Sequence, residues 1–220
     1  MNHLTISIIG GTGKEGSGLA SRWAAAGYKV IIGSRQIEKA KETAKEINLR
    51  LGVDTVLGME NHQAVEEADI CVLTVVQAAH AEILEILKDR LQGKTLVDAT
   101  SRVDFRNPRP PAPPSAAQQA QDLLGPSVRV VAAFQNVPAK TLHKEIGQPV
   151  DADILICSDD IQAAEQVIQL ANSAGLRGFY AGSLANAIVV EGLTSVLISI
   201  NKHYGIKDAG LMISGISIKR

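Results

Sequence analysis

A glycine-rich turn close to the N-terminus constrains the fold more than any other stretch of the chain. Residues 6–9, Ile-Ser-Ile-Ile, are typical of a buried strand, and Gly11, Gly13 and Gly16 follow with the spacing G-x-G-x-x-G, with Lys14 and Glu15 between the last two. Glycines at this spacing let the main chain turn into a helix and approach a pyrophosphate, which the helix N-terminus then binds. An ordinary glycine turn is the alternative to a dinucleotide site.

The next strand supplies the context that the motif needs. Proteins that bind NAD place an acidic residue about 20 positions after the glycines, where it bonds the ribose 2′-hydroxyl. This chain has no acid there and instead carries Ser34, Arg35 and Lys39. A hydroxyl and two cations suit a 2′-phosphate. The sequence therefore predicts NADP rather than NAD.

Strand-like and helix-like segments alternate along most of the chain. This rhythm predicts an α/β fold with a doubly wound (Rossmann), mostly parallel sheet over residues 1–182. Residues 183–203 form an apolar helical pattern and residues 207–218 a second, glycine-containing segment. We expect residues 183–220 to be a small C-terminal helical part that closes the cleft or forms the contact of a homodimer, because so apolar a helix must be buried.

The net charge indicates which binding partners are disfavoured for this chain, and the cysteines indicate its redox compartment. A net charge of −1 disfavours nucleic-acid binding, which needs a basic excess. Residues 185–200 contain Asn186 and Glu191 and are expected to fall short of a bilayer span, and no leader pattern precedes the first strand. Cys71 and Cys157 lie in apolar strands and are expected to be buried thiols of a reducing compartment. The expectation is a cytoplasmic protein without a membrane or nucleic-acid partner.

Several polar features have a structural explanation and a functional one. Residues 107–114 hold five of the eight prolines and are either a stiff connector or a lid over a ligand at the end of a strand. Asp159 and Asp160 favour helix capping over metal binding. His80 and His143 favour ordinary hydrogen-bonded histidines. The sequence therefore predicts no metal site and no catalytic side chain.

The ordered motifs resemble the NADP reductases of coenzyme F-420 over nearly the whole chain. They are 10–13 (Gly-Gly-Thr-Gly), 33–35 (Gly-Ser-Arg) with Lys39, 69–74 (Asp-Ile-Cys-Val-Leu-Thr), 132–134 (Ala-Ala-Phe) with 138–139 (Pro-Ala), 182–186 (Gly-Ser-Leu-Ala-Asn) and 191–194 (Glu-Gly-Leu-Thr). The resemblance implies a dinucleotide fold with a small C-terminal helical part and hydride transfer between a deazaflavin and NADP.

The resemblance also implies a role for individual residues. The 2′-phosphate would be held by Thr12, Ser34, Arg35 and Lys39. The pyrophosphate would be held by Gly13, Lys14, Glu15 and Gly16, after Gly11 in the turn. The nicotinamide side would be formed by Thr74, Val75, Val76, Val137 and Ala139.

Two positions depart from the family pattern and leave the second substrate open. Val76 and Gln77 stand where the family commonly has a proline and an aromatic residue, and Gln135 stands in place of a histidine. The module also resembles the reductase domain of membrane ferric reductases, so a flavin or ferric acceptor is the rival. A pyrroline-5-carboxylate reductase would need a longer C-terminal part, and a non-catalytic NADP sensor would lack a second pocket beside the nicotinamide.

Overall fold

The computed structural model describes residues 4–216, and a parallel sheet lies at the centre of this part of the chain. Its six strands are β1 (Thr5–Ile9), β2 (Lys29–Ser34), β3 (Val56–Glu60), β4 (Ile70–Leu73), β5 (Thr95–Asp98) and β6 (Arg129–Ala132). They are ordered β3-β2-β1-β4-β5-β6, and every pairing is parallel. The order reverses between β1 and β4, which confirms the predicted doubly wound α/β sheet.

Helices cover both faces of the sheet. They are α1 (Lys14–Ala25), α2 (Ile37–Leu51), α3 (Asn61–Glu66), α4 (Gln77–Leu91), α5 (Ala116–Leu124), α6 (Ala139–Leu142), α7 (Ile161–Ser173) and α8 (Ala187–Tyr204). Two more strands, β7 (Asp153–Ile156) and β8 (Arg177–Tyr180), pair with each other in parallel. An antiparallel bridge between Ala132 and Cys157 joins this small sheet to β6.

Strand residues alternate between two apolar cores, one on each side of the sheet. In β4, Ile70 and Val72 pack into the core that contains Trp23 of α1, whereas Cys71 and Leu73 pack into the core beneath α4, α5 and α8. Both faces of a parallel sheet must be buried, which is why its strands read as continuous apolar runs. Cys71 and Cys157 are buried free thiols, as expected.

Two helices begin at side-chain caps, and one of them confirms the capping predicted for Asp160. The side chain of Ser115 accepts a hydrogen bond from Gln118 N at 3.0 Å, and that of Asp160 accepts one from Ala163 N at 2.9 Å. Asp159 does not cap α7, because its carboxylate accepts from Leu184 N instead. This bond stabilises the 3-10 turn Leu184–Asn186 that precedes α8.

The C-terminal part differs from the sequence-based expectation in two respects. The helical stretch Leu184–Tyr204 has 21 residues and is long and apolar enough to cross a membrane by length and composition alone, so the expectation that it falls short was wrong. No second helix follows it within residues 205–216, and residues 217–218 of the predicted segment lie outside the described part.

Helix α8 is buried on one face and exposed on the other. Ala187, Val190 and Glu191 are at most 2% exposed against the core, whereas Val189 and Tyr204 are at least 66% exposed. The expectation of full burial against the rest of the chain therefore holds for one face. The division of the chain at residue 182 stays a prediction.

Candidate functional site

The glycine turn lies at the carboxyl edge of the sheet, between β1 and α1. Gly10 has φ of +72°, a conformation that side chains other than glycine rarely adopt. Gly11 N lies 3.0 Å from the carbonyl oxygen of Gly33, which ties the turn to the end of β2. At Gly16, a Cβ would lie 2.7 Å from both Gly11 Cα and Thr74 Oγ1. The motif glycines therefore permit a tight turn and close contact between α1 and the sheet.

The first turn of α1 has the properties of an anion site. Its N-cap is Gly13, and no side chain caps the helix. A Cβ built on Gly13 meets no atom closer than 3.9 Å, so the backbone there is open to an incoming group. The first N–H groups of a helix have no partner within it and carry its positive dipole end. These residues fit the pyrophosphate of a dinucleotide.

A small cavity of about 260 Å³ lies beside this turn, above the ends of β1 and β2. The structure brings Thr12, Ser34 and Arg35 together in its wall, and their contact with a 2′-phosphate stays a prediction. Lys39 is exposed on α2 and does not line this cavity, so its predicted contact has no geometric support. The opposite wall includes the acidic Glu82 of α4, which means that the cavity is not uniformly basic.

A larger cavity of about 900 Å³ adjoins the small one. The two share Gly13, Thr74, Val75 and Val76 in their walls. The large cavity is also lined by the predicted contacts Lys14, Glu15, Val137 and Ala139, whereas Gly11 and Gly16 line neither cavity. Its volume falls within the range of about 300 to 1,000 Å³ that small-molecule sites occupy. Residues predicted from distant parts of the sequence thus meet around one cleft.

The loop after β6 forms one wall of the large cavity, where Gln135 is 6% exposed. Gln135 Nε2 donates to the backbone oxygen of Asp98 at 2.7 Å, and Thr194 Oγ1 donates to the backbone oxygen of Gln135 at 2.9 Å. Gln135 Oε1 is buried and has no hydrogen-bond partner within residues 4–216. A buried acceptor without a partner is unfavourable, so a ligand N–H at this position would stabilise the complex.

One carboxyl group lies in the wall of the large cavity and a second lies behind it. Asp98, at the end of β5, is fully buried, with Oδ2 2.7 Å from His80 Nε2 and Oδ1 accepting from Thr100 N. Glu15 is partly buried in the cavity wall, and its pKa is raised to about 8, mainly by desolvation and also by the negative charge of Asp98. His80 is therefore a hydrogen-bonded buried histidine, in agreement with the sequence-based expectation.

Helix α6 and the residues after α8 form the outer wall of the large cavity. Lys140 and Lys207 line it from these two segments. Arg22, 2% exposed on α1, fixes the segment that begins with α6. Its guanidinium donates to backbone carbonyls of Thr141, Leu142, Lys144, Gln148 and Ala174. His143 Nε2 lies 2.7 Å from the backbone oxygen of Lys14, which joins the end of α6 to the start of α1.

A buried ion pair fixes α8 against the residues that flank the proline-rich loop. Glu191, 2% exposed, accepts from Arg102 N and Nε at 2.8 Å each, from Arg102 Nη2 at 3.2 Å and from Ala116 N at 2.9 Å. Arg102 also donates to Ala112 in the proline-rich loop, and Lys202 Nζ donates to the backbone oxygen of Arg106. Helix α8 is thus bonded to residues on both sides of the loop.

Sequence reasoning did not identify several residues that the structure brings to the cleft. Asn61 lines the small cavity, and its Oδ1 accepts from Gly10 N at 3.2 Å. Thr194 and Asn201 of α8 line the large cavity. A polar residue directly after a strand could have indicated Asn61. Thr194 and Asn201 are polar residues in an apolar helix, and this pattern could have indicated that one face of the helix lines a cavity.

Comparison with known proteins assigns the family. Residues 5–102 match the family model described as NADP oxidoreductase coenzyme F420-dependent. The chain is 37% identical to the F420-dependent NADP reductase of Methanocaldococcus jannaschii, over 98% of this chain and 100% of that protein. It is 29% identical to human Metalloreductase STEAP2 over 86% of this chain, but over 36% of that protein.

A solved structure supports the same assignment at the level of fold. A putative F420-dependent NADP reductase from Arthrobacter sp. FB24 superposes with a TM-score of 0.79 at 24% identity, covering 96% of this chain and 100% of that one. At 24% identity this likeness concerns the fold alone. The similarity to the reductase of Methanocaldococcus jannaschii, at 37% identity, is a similarity of sequence over 98% of the chain. The chain belongs to the F420-dependent NADP reductase family.

Proposed function

We propose that the protein transfers hydride between NADP and the deazaflavin coenzyme F-420 in the cleft formed by the two cavities. The observation that carries this proposal is that the small cavity adjoins a much larger one. Thr74 and Val76 line both cavities. A dinucleotide with its 2′-phosphate beside Arg35 and its pyrophosphate at α1 would reach the large cavity with its nicotinamide. Room then remains for a second ring, which a non-catalytic NADP sensor would not need.

The chain's own residues bind and orient rather than react. The two coenzymes, when bound, supply the hydride chemistry themselves. The first turn of α1 would hold the pyrophosphate, Thr12 and Ser34 with Arg35 would hold the ribose phosphate, and Val137 with Ala139 would press the nicotinamide toward the second ring. Fixing two rings face to face would convert an encounter in solution into a reaction within one complex, which lowers the entropic part of the barrier.

A flavin or ferric acceptor is the second candidate. Val76 and Gln77 line the large cavity without the proline and aromatic residue common in the family, and Gln135 takes the place of the histidine. The similarity to Metalloreductase STEAP2 extends over most of the chain, which also favours this rival.

We further propose that the protein is a cytoplasmic homodimer. Val189, Val196, Ile200 and Tyr204 form an exposed apolar face on α8, and a second copy of the chain would cover it. Two buried free thiols suit a reducing compartment. A monomer in sedimentation equilibrium would contradict the dimer, and recovery of the protein with a membrane or periplasmic fraction would contradict the location.

Anaerobic oxidation of NADPH with alternative acceptors tests the proposed function. F-420, FMN, FAD and ferric chelates should be supplied at matched concentration, and the deazaflavin absorbance should be followed directly. We expect turnover with F-420 at a kcat/KM at least about tenfold above that with any other acceptor, which corresponds to about 1.4 kcal/mol of transition-state stabilisation. Turnover of FMN or a ferric chelate without reduction of F-420 would favour the rival function.

A further inference from the structure

Glu15 is an acidic residue in a place where a dinucleotide site needs none. It follows the N-cap of α1 by two positions and lines the large cavity with Thr74, Gln77 and Gln135. A carboxylate in this place would be repelled by the pyrophosphate at the same helix end. The side chain is therefore expected either to be neutral or to meet a positive charge in the complex.

The lysines in the cavity wall, Lys14, Lys140 and Lys207, are present with either nucleotide, whereas a positively charged ring is present with only one form of the nucleotide. The nicotinamide ring of NADP⁺ is cationic and that of NADPH is neutral, whereas the phosphates of the two nucleotides are the same. Gln135 gives independent support for a ring in this cavity, because it is 6% exposed and its Oε1 lacks a partner in the described part of the chain. The carboxamide N–H of a nicotinamide would supply the missing donor.

We propose that Glu15 responds to the charge of the nicotinamide ring, as a carboxylate beside NADP⁺ and as a neutral acid beside NADPH. This inference rests on the proposed function, which places the ring in the large cavity. Binding of NADP⁺ releases the proton of Glu15 to solvent. When bound NADP⁺ accepts a hydride at C4, the carboxylate takes up one proton. Reduced F-420 loses one hydride and one proton on oxidation, so charge and protons balance.

The groups that surround Glu15 come from several elements. Asp98 of β5 and His80 of α4 form a buried pair behind the cavity, and Asp98 opposes ionisation of Glu15. Within residues 4–216, the other charged or titratable groups near the cavity are Lys14 on α1, Lys140 on α6, His143 after α6 and Lys207 after α8. Desolvation places the pKa of Glu15 at about 8, so both protonation states are accessible near neutral pH.

The expected pH dependence follows from this arrangement. Below the pKa, the neutral acid does not distinguish the two nucleotides by charge. As the pH rises through about 8, Glu15 of the free protein becomes a carboxylate. The carboxylate attracts the cationic ring of NADP⁺ but has no charge attraction for the neutral ring of NADPH. A nearby opposite charge lowers a carboxyl pKa by about one to three units, so the preference for NADP⁺ over NADPH should rise at least about tenfold between about pH 6 and about pH 9.

Equilibrium titration of both nucleotides across this pH range, at one ionic strength, tests the proposal. Wild type, Glu15→Gln and Glu46→Gln should be compared, since Glu46 is an exposed glutamate on α2. We expect the affinity ratio to rise with pH in wild type and Glu46→Gln and to stay flat in Glu15→Gln. NADP⁺ added to weakly buffered protein near neutral pH should release protons from wild type and not from Glu15→Gln.

Each other outcome has a distinct meaning. A flat ratio in wild type, or a rise that persists in Glu15→Gln, would overturn the inference while leaving NADP binding intact. Binding of neither nucleotide by wild type would overturn the proposed function itself. Loss of folding is controlled by circular dichroism and thermal unfolding of Glu15→Gln, whose spectrum and transition should match those of wild type.

Discussion

Replacing Arg35 with alanine should weaken NADPH binding by about ten- to a hundredfold and leave NADH binding almost unchanged. Arg35 lies in the wall of the small cavity beside Thr12 and Ser34, and NADH has no 2′-phosphate for it to contact. A charge-assisted hydrogen bond of this type contributes about 1.5 to 3 kcal/mol, and each 1.4 kcal/mol is about tenfold in affinity. Titrations of both nucleotides at one ionic strength measure the difference.

Two cations on α2 serve as matched controls for Arg35→Ala. Lys39 is exposed and lies outside the cavity wall, so Lys39→Ala should weaken NADPH less than Arg35→Ala does. Lys45→Ala, farther along the helix, should have no effect beyond long-range charge. If Arg35→Ala weakened NADPH and NADH equally, Arg35 would have a structural role, and the preference for NADP would have to arise elsewhere.

The second large effect is expected on stability, from Glu191→Ala. The carboxylate of Glu191 accepts four hydrogen bonds from Arg102 and Ala116, and the Arg102 side chain is 13% exposed. Its removal leaves a guanidinium and two backbone N–H groups without their acceptor. Breaking a buried pair in this way costs about 3 to 5 kcal/mol. Chemical denaturation should show a free energy of unfolding lower by that amount, with α8 released from the proline-rich loop.

The chain provides a matched control for this substitution at its surface. Glu66 pairs with Arg90 at 2.6 Å, with both side chains at least 41% exposed. Glu66→Ala should change the free energy of unfolding by less than about 1 kcal/mol. Replacing Glu191 and Arg102 together with leucine should be less damaging than Glu191→Ala, because no unpaired charge remains. Equal costs for Glu191→Ala and Glu66→Ala would show that the buried pair contributes little to docking α8.

The sheet and the nucleotide turn could be predicted because their signals are local. Apolar runs such as residues 70–73 mark strands covered on both faces, and the glycine spacing fixes the turn between β1 and α1. Residues 34 and 35 follow β2 directly, so their place at the carboxyl edge follows from the parallel sheet alone.

The remainder of the cleft depends on contacts between distant residues. Arg102 and Glu191 are 89 positions apart, and neither reveals its partner in the sequence. Asp153 N donates to the backbone oxygen of Leu211, which returns the chain after α8 to the small sheet and brings Lys207 to the cavity. The raised pKa of Glu15 depends on burial and on Asp98, which only the folded chain brings near. Such features require the tertiary structure.

Transfer of deuterium from NADPH to F-420 tests the central claim most directly. NADPH carrying deuterium at both C4 positions of the nicotinamide should be mixed anaerobically with F-420 and the protein, and the reduced F-420 analysed by mass spectrometry. A hydrogen bonded to carbon does not exchange with water, so direct transfer between two rings in one cleft predicts one deuterium at C5 of each reduced F-420 molecule. Reduced F-420 without deuterium, or no reduction of F-420 at all, would contradict the account.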